Sequence, residues 1–415
     1  MAETKVITLG CRLNVFESEV MRGFGEAANL KDTVIVNTCA VTAEAGRQAR
    51  QTVRKLHRDN PSARIVVTGC AAQLDPEDFA SMDGVEKVLG NEEKMDPIHL
   101  TAFEGEKIEV SDIMAVRETA PHLVSGFDEH TRAFVQIQQG CDHRCTFCII
   151  PFARGNNRSI GAGRIAEQVR TLVDAGYREV VLTGVDICSY GSDLPGTPSL
   201  GDLCFRLLKA VPGLRRLRLS SLDPAAIDDK LFDLIASEPR LMPHLHLSLQ
   251  AMDDMVLKRM KRRHTRQQAC DVVKRVRDLR PDAVFGADLI AGFPTETDEM
   301  FENTLNAVEE LELTWLHVFP YSERPGTPAA KMPVVPGNIR KQRASKLRAA
   351  GEKILIRFLN SQIGETVQVL LEKNRRGLSQ HYAPVEVDFE ATPGDIIAVK
   401  INEVCGGRLM GSPIR

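Results

Sequence analysis

Cys141, Cys145 and Cys148 stand in the stretch GCDHRCTFCIIPFARG with the spacing C-x3-C-x2-C. Three thiols fall within eight residues, and no fourth cysteine is close by. A structural zinc site takes four ligands, usually from paired C-x2-C hooks. A 4Fe–4S cluster also takes four cysteines. Three local ligands therefore leave one iron of such a cluster open to something that is not protein. A zinc knuckle completed by a remote histidine is the alternative reading of these residues alone.

A second set of three cysteines is spread along the first third of the chain. KVITLGC, TVIVNTC and ARIVVTGC are short apolar runs that end in Cys11, Cys39 and Cys70. Helix-like stretches, NVFESEVMRGF and AEAGRQARQTVRKLHRD, lie between them. Strand–helix–strand repeats build a parallel sheet, and ligands of such sheets bind at the carboxyl ends of the strands. The cysteines are 28 and 31 residues apart, yet this topology gathers them at one edge. The plainer reading of a free cysteine is a buried small hydrophobe. Three at the same place in successive units point instead to a second three-thiolate site.

The segments TLGCRLNVFESE, VNTCAVT and VTGCAAQ, together with both cysteine sets, resemble the radical S-adenosylmethionine (SAM) methylthiotransferases over essentially the whole chain. The resemblance implies two 4Fe–4S clusters. Cys141, Cys145 and Cys148 would hold the catalytic one, whose open iron chelates SAM. Reductive cleavage of SAM, fed by an external electron donor, then gives a 5'-deoxyadenosyl radical. Cys11, Cys39 and Cys70 would hold an auxiliary cluster carrying the sulfur to be inserted.

The 415 residues suffice for two or three domains with real cores, and the expected class is α/β multidomain. Residues 1–118 read as the parallel α/β sheet domain, 118–131 as a linker, 130–355 as a partial (βα)6 barrel and 360–415 as a small antiparallel β-barrel. Barrel strands are expected at 133–139, 179–183, 215–219, 244–249, 283–290 and 314–319. In HLHLSLQ, Leu245, Leu247 and Leu249 alternate with His244, His246, Ser248 and Gln250. Period-two alternation puts the polar set on one face, toward a wet interior cavity. The resemblance implies that Gly184, Asp186, Ser220 and Ser221, at strand ends, contact SAM, and Gln250 is a further cofactor-binding candidate. Gly184 and Asp186 lie in TGVD, where the family often shows Gly-Gly-Glu. Phe147 resembles the family aromatic beside the SAM adenine. Asp288 and Tyr321 are pocket candidates, while Cys188, Cys204, Cys270 and Cys405 read as packing residues.

Net charge is −3, so RNA binding must rest on local basic runs. Such runs occupy 43–58, 257–266 and 338–357. The C-terminal segment resembles the TRAM domain of the family, although it holds six Lys/Arg against seven Asp/Glu. Expected RNA-facing residues are Arg154, Arg158, Arg262, Arg263, Arg375 and Arg376, with His381 and Tyr382 near the last two. No apolar run reaches membrane-spanning length, the N-terminus lacks a signal-peptide profile, and the expected compartment is the cytoplasm. Within the family, TLGCRLNVFESE and PFARGNNRS look most like the branch that modifies threonylcarbamoyladenosine in tRNA. Isopentenyladenosine tRNA and an aspartate of a ribosomal protein are the alternative substrates. A non-catalytic iron–sulfur RNA-binding protein is the alternative from another class.

Overall fold

The computed structural model of the chain describes residues 4–119, 122–124, 126–127 and 130–414. Five strands, β1 (Lys5–Thr8), β2 (Thr33–Thr38), β3 (Arg64–Gly69), β4 (Val85–Leu89) and β5 (Ile108–Glu109), form one sheet in chain order. Every pair in it is parallel. The central strands are covered on both faces, which is why TVIVNT and RIVVTG read as apolar runs: Ile35, Val36, Ile65, Val66 and Val67 are fully buried. Helix α1 (Arg12–Ala27) follows β1, and α2 (Ala43–Asp59) follows β2. Thr42 starts α2 by accepting from the Ala45 amide, and Gly46, Ala49 and Val53 give it a narrow buried face. Its arginines stand on the other side.

The barrel consists of β6 (Ala133–Gln136), β7 (Glu179–Thr183), β8 (Arg216–Leu219), β9 (His244–Gln250), β10 (Val284–Ala291) and β11 (Leu313–Pro320). These form two parallel three-stranded sheets, joined by bridges from Leu217 to Leu241 and from Leu222 to Leu247. The first strand ends earlier than its sequence suggests. Gln138 and Gln139 leave the sheet to pair antiparallel with Arg158 and Ser159, forming a base under the cysteine loop. Phe16 and Val20 of α1 join the barrel core with Ala133, Phe134 and Val135, so sheet domain and barrel share apolar packing.

Of the expected linker at 118–131, Ala120, Pro121, Ser125, Asp128 and Glu129 lie outside the described residues. The described remainder is tied down. Val124 exchanges two hydrogen bonds with the Gln168 amide, the Phe127 amide donates to Tyr177, and both Val124 and Phe127 are buried.

The C-terminal barrel closes through β12 (Thr366–Leu371), β13 (Arg376–Ser379), β14 (Pro384–Val387), β15 (Ile396–Cys405) and β16 (Arg408–Pro413). It is mixed rather than antiparallel, because β14 and β16 pair in parallel. An odd number of strands in a closed ring cannot alternate direction throughout, so at least one parallel pair is forced. The long helix α3 (Gly337–Ser361) spans both barrels, placing Leu347 and Ile354 in the larger core and Leu359 in the smaller. Its basic run is largely spent within the fold. Arg343 is buried against Glu296 and Asp298, Arg348 donates to the Val318 carbonyl, and Lys346 and Arg357 pair with Glu302 and Glu309. Among the described residues no helix is long and apolar enough to cross a membrane.

The smaller barrel is docked by a buried charge cluster. Glu179 is fully buried and faces Arg218 at 2.9 Å, Arg216 at 3.3 Å and Arg132 at 3.5 Å. The same arginines reach across: Arg218 donates to the carbonyls of Ser379 and Gln380, and Arg216 to that of Gln368. Burial alone would raise the Glu179 carboxyl, but Arg218, Arg132 and Arg216 outweigh it and hold it below the ordinary range. The contribution of Glu179 to stability is therefore complete above the unfolded value of about 4.3 and is lost as pH falls through the lower folded value. Glu179→Gln is expected to cost about 3–5 kcal/mol at neutral pH, read as a lower thermal midpoint. The gap to wild type should narrow in acid, and an unchanged midpoint at neutral pH would refute the assignment.

Candidate active site

The loop that carries Cys141, Cys145 and Cys148 leaves the carboxyl end of the first barrel strand and is pinned from three sides. The Cys141 amide donates to Gly155, the Thr146 amide to Met260 and the Ala329 amide to Thr146. Arg144 bonds the Cys141 carbonyl and the Asn156 side chain, both at 2.7 Å. Arg262 lies beneath the loop, donating to the Ser248 carbonyl at 2.7 Å, with its other nitrogen 3.8 Å from Cys145 Sγ. Burial pushes the Cys141 thiol up to about 12 and the Cys148 thiol to about 11. Left as free thiols they would stay protonated at neutral pH, whereas metal ligation takes the proton off.

Cys11, Cys39 and Cys70 converge at the carboxyl ends of β1, β2 and β3. Gly10, at φ +103°, turns the chain there, and a Cβ on it would lie 3.0 Å from Cys39 Sγ. Arg154 enters this site from the barrel, six residues past Cys148. Its guanidinium lies 3.1 Å from Cys70 Sγ, 2.6 Å from Asn14 Oδ1 and in a bidentate pair with Glu17. Lys94 Nζ bonds the same Glu17 at 2.6 Å. All three charged side chains are buried. Burial alone would raise Glu17, but Arg154 and then Lys94 outweigh it and lower the carboxyl to about 2. Burial draws the Lys94 ammonium down, and Arg154 adds to the fall against the pull of Glu17.

Two cations against one carboxylate leave the auxiliary site short of negative charge. Anionic thiolates ligating a cluster supply that charge, so the residues present fit the group. Single-ion spacing is found elsewhere. Among the described residues, the three-ligand group of His, Cys or carboxylate atoms lying within 4.8 Å of one another is His246, Asp288 and His317.

A cavity of about 270 Å³ lies beside Cys148. Phe147, Cys148, Gln250, Asp288, Ile290 and Tyr321 line it from the barrel, while Val41 and Thr42, just past Cys39, close it from the sheet domain. Phe147 also meets Phe293 edge-on at 6.4 Å. Gly184 sits against Gln138, whose Oε1 accepts from the amides of Val185 and Asp186 at 2.9 and 2.8 Å. Asp186 pairs with His143 of the cysteine loop at 3.0 Å and accepts from Ser189 at 2.7 Å. Ser220 and Ser221 are half-buried just past β8.

The expected RNA-facing set divides. Arg154, Arg158 and Arg262 are corrected: the first two are 2% and 3% exposed, and the Arg262 side chain is 9% exposed against Asp223. The helix before Arg262 ends at Lys261 in a left-handed conformation, which turns the chain inward. Arg263 remains 42% exposed in its side chain although it touches Asp223, and Arg375 and Arg376 are half-exposed beside Glu390 and Glu386. His381 and Tyr382 face inward. Tyr382 stacks on His244 at 5.1 Å, with Arg218 over its ring at 4.8 Å. Glu17, Lys94, Gln138 and His317 escaped the sequence reading. Only His317, a histidine near the end of a barrel strand, carried a signal that could have been used.

Residues 3–90 match the uncharacterized protein family UPF0004, and residues 135–308 match the radical SAM superfamily. A solved radical SAM methyltransferase, TsrM from Kitasatospora setae with cobalamin and a [4Fe-4S] cluster bound, superimposes with a TM-score of 0.57. At 16% identity over 80% of this chain and 77% of that one, the likeness shows the fold alone. The tRNA-2-methylthio-N(6)-dimethylallyladenosine synthase of Cereibacter sphaeroides is 34% identical, covering 97% of each chain. The threonylcarbamoyladenosine tRNA methylthiotransferase MtaB of Rickettsia prowazekii is 53% identical over 96% of this chain and 94% of its own length. Identity at that level along nearly the whole of both chains means that this chain belongs to the radical SAM methylthiotransferase family.

Proposed function

We propose that this chain converts N6-threonylcarbamoyladenosine at position 37 of tRNA to its 2-methylthio derivative. The observation that supports the reaction is a cavity bordered by Cys148 on one side and by Val41 and Thr42, next to Cys39, on the other. The substrate follows from the relative at 53% identity, against 34% for the dimethylallyladenosine relative. A target base must be unstacked to enter such a cavity, which an anticodon loop permits more cheaply than a duplex.

The bound groups, two [4Fe–4S] clusters and SAM with electrons from an external donor, supply the radical and the sulfur. The chain's own side chains hold and orient. Residues 1–118 present the sulfur-bearing site through Cys11, Cys39 and Cys70. Residues 130–355 hold the SAM cluster through Cys141, Cys145 and Cys148. Gln138 fixes the backbone of Gly184–Asp186 for SAM, with Ser220, Ser221 and Gln250 on neighbouring strand ends. Phe147, Ile290 and Tyr321 keep water from the reacting carbon. Arg154 joins the two sites rigidly, so the distance between them does not depend on a flexible hinge. Residues 360–415, through Arg375 and Arg376, together with Arg263, meet tRNA phosphates in the cytoplasm.

Nucleoside mass spectrometry of tRNA from cells with and without the gene tests the substrate. Loss of methylthio-threonylcarbamoyladenosine with accumulation of its precursor is expected. Loss of the isopentenyl (dimethylallyl) derivative instead would move the chain to that branch. No change in any nucleoside would direct attention to methylthio-aspartate in ribosomal protein. Cys145→Ala should abolish SAM cleavage, whereas Cys39→Ala and Arg154→Gln should retain cleavage, form no methylthio product and bind about half the iron of wild type. Full iron content in Arg154→Gln would show that its contact with Cys70 is incidental. Arg375→Glu combined with Arg376→Glu should weaken tRNA binding and flatten its salt dependence, and an unchanged slope would return both to a solvated surface.

A further inference from the structure

His246, Asp288 and His317 stand on three adjacent strands, β9, β10 and β11, on the face that lines the barrel interior. Asp288 Oδ1 lies 3.1 Å from His246 Nε2 and 3.1 Å from His317 Nδ1. The two imidazoles are tilted at 35°, with centroids 4.7 Å apart. All three donor atoms fall within 4.8 Å of one another. Glycine at 286 makes the arrangement possible, since a Cβ there would lie 2.4 Å from His246 Nδ1.

A hydrogen-bonded trio would account for His317, whose Nδ1 is aligned with Asp288. At His246, 7% exposed, the same carboxylate oxygen lies 3.1 Å from Nε2 but off the line of a full hydrogen bond. One carboxylate oxygen approached by two ring nitrogens, one of them poorly aligned, is a geometry that a shared ion would complete. Metal–nitrogen and metal–oxygen bonds of about 2.0–2.2 Å at tetrahedral or octahedral angles put neighbouring donors about 3 Å apart. Two imidazoles and one monodentate carboxylate suit a first-row divalent ion and disfavour magnesium or calcium.

We infer that His246, Asp288 and His317 form a binding site for a first-row divalent metal ion, distinct from both cysteine triads. Asp288 lines the cavity beside Gln250 and Cys148, and the His317 side chain is 60% exposed, so the ion's remaining positions open toward cavity and solvent. The ligand class that fits those positions is a small oxygen-donor anion, a carboxylate above all. The threonylcarbamoyl group carries one. This last step rests on the substrate proposed above, while the metal site itself does not.

The test uses the holoenzyme with both clusters in place and zinc ion as the probe. One zinc per chain is expected, with an X-ray absorption shell of nitrogen and oxygen at about 2.0–2.1 Å rather than sulfur at about 2.3 Å. His317→Ala, at an exposed position, should fold with unchanged thermal midpoint and iron content yet bind zinc roughly a hundredfold more weakly. Asp288→Asn, nearly isosteric, should weaken binding as well. Zinc held through sulfur, zinc binding unaffected by either substitution, or no zinc retained by the wild-type holoenzyme would each overturn the inference. None of these outcomes touches the nucleoside result, so the two proposals fail separately.

Discussion

Arg154 and Lys94, buried against the single carboxylate of Glu17, are the constraint on which the arrangement of the catalytic half depends. The three residues come from different parts of the chain: Glu17 from the first helix, Lys94 from the turn after the fourth strand, and Arg154 from the barrel loop. Removing Glu17 from this set would cost about 3–5 kcal/mol, because two buried cations would lose their shared carboxylate. The sheet domain and the barrel therefore cannot part without exposing or orphaning an ion. This set, with Phe16 and Val20 in the barrel core, fixes the sheet domain against the barrel.

A second buried charge cluster does the corresponding work at the other end of the barrel. Glu179 gathers three arginines, and two of these cap carbonyls of the C-terminal barrel. Tyr382 then reaches into the interior, where its hydroxyl accepts from Arg12 of the sheet domain and Arg132 of the barrel, both at 3.2 Å. One tyrosine thus touches all three parts of the molecule. The small barrel is seated as a wall of the larger one, with Arg375 and Arg376 half-exposed on its outer side.

Much of the fold was legible in the sequence because its signals are local. Apolar runs ending in cysteine gave the parallel sheet, and the spacing of Cys141, Cys145 and Cys148 placed the cluster loop after the first barrel strand. The alternation in HLHLSLQ correctly separated buried leucines from the polar interior row. The reading failed where charge was taken at face value. A run of arginines looks the same whether its side chains are solvated or buried against carboxylates far away in the chain. Arg154, Arg262 and Arg343 are of the second kind, while Arg158 is buried on the Thr119 hydroxyl and the Asn156 carbonyl.

The sequence by itself determined the ligand types and the chemistry open to them, since three thiols at fixed spacing and no fourth is a property of the chain alone. It also determined the order of sheet, barrel and small barrel, since periodicity and turn residues act over a few positions. Only the tertiary structure decided which charges neutralise one another. Pairing between Glu17 and Arg154 spans 137 residues and depends on two domains sharing a core. It likewise decided that His246, Asp288 and His317 meet, because strand register sets Asp288 opposite His317 and His246 opposite Gly286, two residues before Asp288. Local pattern fixes what a residue is able to do; long-range packing and burial fix what it faces.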